Sequence, residues 1–149
     1  MCGISGFFNL SGALPSRRLA GEALRCMTRV LAHRGPDGEG LWLDPEAGVA
    51  LGHRRLAIRD TSLAGAQPMR SHDGRYVRTY NGEIYNADDL RREVEAAADQ
   101  PLPWHGRSDT EVLLEACAVL GVHRALEQSI GMFAFALWDA REHTLILGR

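Results

Sequence analysis

A cysteine directly follows the first methionine of this 149-residue chain, and a thiol in that place could act as a nucleophile. If Met1 is removed, the Cys2 thiol and a free α-amine belong to one residue. An α-amine titrates at about 7.7–8.0 in model peptides, so it suits a general base, and a thiol near 8.5 needs little help to become a thiolate. The alternative is that residue 2 only begins a frayed terminus.

Charged residues suited to binding an amino acid occur at separate points. Arg55 could form a bidentate fork with a carboxylate, although a lone arginine is often a solvated surface residue. Strand alternation places Arg54 and Arg55 on opposite faces, so at most one should point into a given pocket. Glu83 and Asp109 could bind an ammonium group, although the helix dipole also explains an acid in a first helical turn.

The dipeptide Asn81-Gly82 has two interpretations. It is the strongest short signal for a hairpin turn. It could also present a side-chain NH₂ and an approachable backbone N–H, which together could form an oxyanion hole. The residues alone leave both interpretations open.

Composition excludes several classes of function. The chain is 45% hydrophobic and 24% charged, which is typical of one folded domain. A formal charge of -2 and the lack of a long basic block argue against a nucleic-acid partner. No signal peptide or membrane-length apolar run is found, so we expect a cytoplasmic protein without a membrane partner. The six histidines lack metal-site spacing, so no metal is expected.

The three cysteines do not suggest a disulfide framework, because their number is odd. Cys26 and Cys117 each lie among apolar residues at helical spacing, which predicts two small core residues.

Apolar patterns predict the elements that must position the candidate residues. Ser108 and Glu111 form a capping-box pattern that opens a helix, and Gly121 ends it; Asn86 is a candidate N-cap for the helix before it. Strands, helices and a final hairpin in this order predict an α+β layered domain. The predicted strands are 4–10, 41–43, 49–58, 76–80, 132–138 and 144–148, and the helices are 18–31, 87–98, 108–120 and 124–128.

Seven sequence blocks resemble the glutaminase domain of class II glutamine amidotransferases, specifically the asparagine synthetase (glutamine-hydrolysing) type. They occur in the family's order and cover nearly the whole chain. The blocks are M-C-G-I-S-G at 1–6, H-R-G-P-D at 33–37, G-H-R-R-L-A-I-R-D at 52–60, G-A-Q-P-M at 65–69, Y-N-G-E-I-Y-N at 80–86, S-D-T-E-V-L-L at 108–114 and G-M-F-A-F-A-L-W-D at 131–139.

The resemblance implies a fold and a reaction. The fold is the N-terminal-nucleophile hydrolase type, a four-layer αββα sandwich of two antiparallel sheets. After removal of Met1, Cys2 would attack the side-chain amide of L-glutamine, form a thioester and release ammonia, with its α-amine as base and then acid. The Asn81 side chain and the Gly82 N–H match the family's oxyanion hole.

The resemblance also implies the substrate contacts. Arg55 matches the residue that binds the glutamine α-carboxylate, and Glu83 and Asp109 lie where the family binds the α-amino group. The segment that lines the same pocket comprises Leu56, Ala57, Ile58 and Arg59.

We expect residues 1–149 to be a glutaminase domain without its last strands and without the synthetase domain that comes next in the family. The chain stops on a strand, and it needs no cofactor of its own, whereas ATP and Mg²⁺ are expected for the missing domain. A homodimer is possible. Two alternatives stay open: an amidotransferase with another ammonia acceptor, and a truncated remnant that binds glutamine without turnover.

Overall fold

A computed structural model describes residues 1–58 and 61–149. The strands are β1 (Gly3–Phe8), β2 (Gly38–Asp44), β3 (Val49–Arg55), β4 (Met69–Arg70), β5 (Tyr76–Ile84), β6 (Gly131–Asp139) and β7 (Thr144–Gly148). The helices are α1 (Arg17–Val30), α2 (Ala87–Ala97), α3 (Asp109–Leu120) and α4 (Val122–Gln128), with one 3₁₀ turn at Leu63–Gly65. None of the helices in the described ranges is long and apolar enough to cross a membrane.

Two antiparallel sheets form the centre of the fold. One has the strand order β1-β3-β2 and the other the order β4-β5-β6-β7. Between them lies an apolar cluster that includes Leu51, Val77 and Trp138. Helix α1 contacts the first sheet, and α2 and α3 pack together against the second with α4 beside them. The expected four-layer αββα sandwich is therefore confirmed.

Helix α3 is buried around most of its circumference, which is typical of a core helix. Three of its carboxylates are buried as well, and each accepts backbone N–H groups. Asp109 accepts from Ile84, Glu111 from His105 and Gly106, and Glu115 from His72. These bonds let acidic side chains lie inside the protein without leaving buried acceptors unsatisfied.

The structure excludes one of the two interpretations of Asn81-Gly82 and differs from the predicted elements. The dipeptide Asn81-Gly82 is not a hairpin turn, because β5 continues through it and pairs with β6 up to Ile84. Strand β3 ends at Arg55 instead of residue 58. Strand β4 and the 3₁₀ turn have no counterpart among the predicted elements, because both are too short to show periodicity.

Two predictions in the helices meet different outcomes. Asn86 is the N-cap residue of α2, as predicted, but its side chain makes no capping bond and instead bridges Gln128 and Ile130. Cys26 is exposed, because the solvent-facing side of α1 also carries apolar residues and so misleads a periodicity argument. Cys117 is buried, as predicted.

Candidate active site

A cavity of about 220 Å³ opens beside the N-terminus. It brings together every candidate residue that the structure describes; Arg59 lies outside the described residues. The candidates that line it are Cys2, Arg55, Leu56, Ala57, Ile58, Asn81, Gly82, Glu83 and Asp109. Residues from four separate blocks of the sequence thus share one pocket of a size suited to a small molecule.

Cys2 is held where β1 meets the end of β3. Gly3 lies opposite Arg54 in the strand pair, which places Cys2 beside the end of β3. The Leu56 N–H points at the Cys2 sulfur at 3.4 Å, and the sulfur lies 3.7 Å from the Leu56 carbonyl oxygen. The Arg34 guanidinium donates to the Cys2 carbonyl at 3.2 Å. The thiol is therefore fixed at the pocket wall by main-chain contacts.

The block at 33–37 supports this wall, a role that sequence reasoning did not assign. Asp37 Oδ2 accepts a hydrogen bond from the Ala57 N–H at 2.9 Å, and the Asp37 N–H donates to the Arg55 carbonyl at 3.0 Å. A Cβ at Gly35 would lie 2.4 Å from main-chain atoms of Arg54, so only glycine fits there. The wall from residue 55 to 57 thus rests on a tightly packed loop.

The two adjacent arginines diverge, as strand alternation predicts. Arg54 donates to the Gly35 carbonyl and pairs with Glu39 at 2.9 Å. Arg55 lines the pocket, and its Nη1 donates to the Ser62 carbonyl at 2.6 Å. A Cβ at Gly65 would fall 2.2 Å from Arg55 Nη2, so the guanidinium lies directly against that glycine.

Asn81 and Gly82 lie side by side in β5 at the pocket. Asn81 is half-buried and Gly82 is exposed. A Cβ at Gly82 would lie 2.4 Å from the Cβ of Phe133 on β6, so glycine is required for this strand pair to close. The side-chain amide and a main-chain N–H are therefore offered from neighbouring residues.

Asp109 joins the start of α3 to the strand that carries these donors. Its Oδ2 accepts from the Ile84 N–H at 2.8 Å and from the Tyr80 hydroxyl at 3.1 Å. Burial, and then the negative charge of Asp109, raise the pKa of Tyr80 well above its ordinary value, so the phenol stays a hydrogen-bond donor. The carboxylate is thus fixed at the pocket by β5.

Half of the predicted capping box is present at this helix. Ser108 Oγ accepts from the Glu111 N–H at 3.2 Å. The Glu111 carboxylate reaches past Ser108 and accepts from the His105 and Gly106 N–H groups at 2.8 and 2.9 Å. Glu111 therefore orders the loop before the helix.

Sequence reasoning gave no role to three buried polar residues near the site. Gln67 also lines the pocket, His53 contacts the Tyr80 carbonyl, and Arg78 donates to the Thr110 carbonyl. Burial, with a smaller contribution from the charge of Arg55, lowers the pKa of His53 to about 4 against the opposing hydrogen bond to the Tyr80 carbonyl. For His53 and Arg78, a polar residue inside a predicted strand was the available signal, whereas Gln67 lies in no predicted element.

Within residues 1–58 and 61–149, no three histidine, cysteine, aspartate or glutamate side chains lie close enough to hold a metal ion. The polar groups that line the cavity suit an amino-acid substrate: a thiol, an arginine, two acids and an amide. The arrangement can support nucleophilic attack on a bound amide.

Comparison with known proteins agrees with this geometry. The family described as "Glutamine amidotransferase domain" matches residues 1–149. The chain is 37% identical over its whole length to asparagine synthetase [glutamine-hydrolyzing] 3 of Bacillus subtilis and to asparagine synthetase B of Escherichia coli. It is 36% identical to the amidase chry2 of Gibberella zeae. It spans only 23%, 25% and 22% of these three relatives.

A solved structure supports the fold. The glutamine phosphoribosylpyrophosphate amidotransferase of Bacillus subtilis superposes with a TM-score of 0.68 at 20% identity, over 97% of this chain and 36% of that one. This likeness identifies the N-terminal-nucleophile hydrolase fold. The family match over residues 1–149 shows that the chain belongs to the glutamine amidotransferase domain family.

Proposed function

We propose that this chain hydrolyses L-glutamine to glutamate and ammonia through a thioester on Cys2. The observation that carries the proposal is the shared cavity, because a candidate nucleophile, oxyanion donors, an arginine and two acids all line it. If Arg55, Gly82 and Asp109 had only structural roles, nothing would require all three to line the same cavity.

The first chemical step forms a tetrahedral intermediate. With Met1 removed, the α-amine of Cys2 accepts the thiol proton as the sulfur attacks the amide carbon of glutamine. Negative charge moves to the amide oxygen, where the Asn81 NH₂ and the Gly82 N–H stabilise it. Losing one such donor costs about 10²–10³ in rate at comparable sites.

The next two steps release the products. The protonated α-amine donates its proton to the leaving nitrogen, the C–N bond breaks, and ammonia departs to leave the thioester on Cys2. Water then attacks the thioester with the α-amine again as base, and the same oxyanion donors stabilise the second intermediate. Glutamate leaves and the Cys2 thiol is restored.

Charged residues at the cavity orient the substrate. Arg55 binds the α-carboxylate, because a guanidinium is planar and presents paired donors. Glu83 and Asp109 bind the α-ammonium. The segment 56–58 closes the side of the pocket beside the thiol.

The destination of the ammonia is proposed from the relatives. The chain spans about a quarter of the length of the asparagine synthetases it matches, so we propose that a synthetase domain of the same protein uses the ammonia to make asparagine from aspartate. ATP and Mg²⁺ would bind in that synthetase domain. A cytoplasmic location and a homodimer belong to the same proposal.

A second candidate differs in the acceptor. The match to an amidase of Gibberella zeae, at nearly the same identity as the synthetases, favours an amidotransferase that passes ammonia to another substrate. Both candidates share glutamine hydrolysis at Cys2 and differ only in the molecule that receives the ammonia.

Glutamate release from glutamine tests the proposal. We expect Cys2→Ala to abolish release and Cys26→Ala, which changes an exposed thiol away from the cavity, to leave it unchanged. Release that persists in Cys2→Ala would show that this thiol is not the nucleophile. Glutamine binding without any release from the unmodified protein would identify a silent remnant.

A further inference from the structure

Two side chains hold the main chain of Tyr80, the residue just before the proposed oxyanion donors. Gln67 Oε1 accepts from the Tyr80 N–H at 2.6 Å. His53 Nε2 lies 3.1 Å from the Tyr80 carbonyl oxygen. Gln67 is 8% exposed and His53 is 1% exposed, so both contacts are shielded from water.

On the edge of β5 that faces away from β6, these two side-chain contacts take the place of hydrogen bonds to a neighbouring strand. In an antiparallel sheet, the N–H and C=O of one residue point to the same side. Tyr80 stands opposite Phe135 on β6, yet its N–H and C=O meet side chains, so both groups point away from β6. Strand β4 covers that edge only at Val77 and Arg78. Gln67 comes after the 3₁₀ turn, and His53 reaches across from the other sheet.

The chemistry of His53 suits this contact. A carbonyl oxygen only accepts, so Nε2 must carry the proton. The ring is neutral at pH 7, because burial lowers its pKa to about 4. Nδ1 is buried and makes no hydrogen bond to the described residues, so the Nε2 contact is the hydrogen bond that fixes the ring.

We propose that His53 and Gln67 are positioning residues of the oxyanion hole. By holding both main-chain groups of Tyr80, they fix the peptide that leads into Asn81 and so aim the Asn81 amide and the Gly82 N–H. The inference rests on the proposed function, because it takes those two groups as the oxyanion donors.

Paired substitutions separate the hydrogen bond from the packing. His53→Leu and Gln67→Met remove the donor and the acceptor while keeping apolar bulk, whereas His53→Gln and Gln67→Glu retain them. We expect the first pair to lower kcat for glutamine hydrolysis by about 10–100-fold, since a small misplacement of catalytic groups has that effect. KM should change by less than about threefold, and the second pair should recover most of kcat.

The rate of Cys2 alkylation by iodoacetamide distinguishes a positioning role from a general loss of structure at the site. This displacement at a saturated carbon passes through no oxyanion, so its rate should be the same in His53→Leu and in the unmodified protein. A variant whose alkylation, KM and kcat all change together has lost structure at the site, and that result would overturn the positioning role.

Hydrogen exchange of the Tyr80 amide tests the contact between Gln67 and the Tyr80 N–H without any turnover. We expect Gln67→Met to exchange this amide at least tenfold faster than the unmodified protein. Unchanged exchange, or unchanged kcat in His53→Leu, would overturn the inference and leave glutamine hydrolysis standing. Absence of glutamate release from the unmodified protein would overturn the proposed function. The positioning role of His53 and Gln67 would then fall with it, whatever the exchange rate of the Tyr80 amide.

Discussion

Asp109 shows how one carboxylate can serve both the fold and the substrate. Its Oδ2 accepts hydrogen bonds from the Ile84 N–H and the Tyr80 hydroxyl, while the residue also lines the cavity. An asparagine keeps the shape and one acceptor oxygen but removes the negative charge. Substrate binding should therefore suffer more than folding.

We expect Asp109→Asn to raise KM for glutamine by about 10–100-fold and to lower kcat less. A hydrogen-bonded buried charge contributes about 1.5–3 kcal/mol, which corresponds to that range. Steady-state kinetics measure the change. Asp88→Asn, in the exposed first turn of α2, is the matched control and should leave KM unaltered. An unaltered KM in Asp109→Asn would refute the assignment.

At the residue scale, the sequence predicts groups that do chemistry better than groups that support them. Cys2, Arg55 and Asp109 could be proposed because their side chains suit the reaction and match the family blocks. His53 and Gln67 could not, because their contacts depend on which edge of β5 lies uncovered. Only the packing of the two sheets defines that edge.

The first turn of α3 connects helix stability to the site at the scale of elements. Ser108 caps the helix, and Asp109 is the next residue. Ser108→Ala removes an N-cap, which costs about 0.5–2 kcal/mol. We expect a lower free energy of unfolding together with a higher KM for glutamine.

Ser16→Ala is the matched control for this prediction, since Ser16 caps α1 through the Leu19 N–H. It should lower stability in a similar way without changing KM. Denaturant unfolding and steady-state kinetics measure both effects. A Ser108→Ala variant that loses stability with no change in KM would separate the cap from the site.

Asp139 organises the hairpin between β6 and β7. Arg75 forms a fork with its carboxylate, with Nη2 2.6 Å from Oδ2, and the Arg141 and Glu142 N–H groups donate to Oδ1. Burial opposes ionisation, but the bonds from Arg75, Glu142 and Arg141 outweigh it and lower the pKa of Asp139 to about 2.

We expect Asp139→Asn to lower the free energy of unfolding by about 1.5–3 kcal/mol, the range for hydrogen bonds to a charged group. Glu142→Gln changes an exposed acid in the same turn and should be nearly neutral. Urea unfolding measures both. Equal stabilities of the two variants would mean that the fork does not hold the hairpin.

The local sequence pattern predicted most helices and strands. It failed where the conformation depends on contacts with residues distant in the sequence. The dipeptide Asn81-Gly82 favours a turn by itself, yet nine residues of β5 pair with β6 and keep it extended. Helix α1 was found from its periodicity, but Leu19 and Val30 are exposed, so the apolar pattern did not identify its buried face.

At the scale of the whole molecule, two buried groups couple stability to pH. The folded pKa of His53 is about 4, below its ordinary value of 6.5, so the unfolded chain binds more protons between these values. This contribution is fully present above about pH 6.5 and is lost as pH falls toward 4. Its upper size is about 3 kcal/mol, from the two pKa values.

We therefore expect the free energy of unfolding to fall between pH 7 and pH 4.5, and His53→Gln to flatten the decrease. Below that range, Asp139 should add a further loss as pH falls from about 3.8 to 2. Urea unfolding at several pH values measures both phases. An equal slope in His53→Gln and the unmodified protein would show that His53 does not titrate as described.

The layered fold explains why distant blocks of sequence meet in one cavity. Cys2 immediately precedes strand β1, the end of β3 carries Arg55, β5 carries Asn81 and α3 carries Asp109. Stacking the two sheets brings these strand ends together. The α+β class and the four layers could be predicted from the pattern and the family blocks, whereas the cavity itself needed the sheet register.

The intact mass of the purified protein, before and after an acid-quenched reaction with glutamine, tests the central claim most directly. We predict that Met1 is absent and that the quenched protein carries one γ-glutamyl group, which Cys2→Ala never acquires. A protein that hydrolyses glutamine while it retains Met1 would contradict the claim, because Cys2 would then have no free α-amine to act as its base.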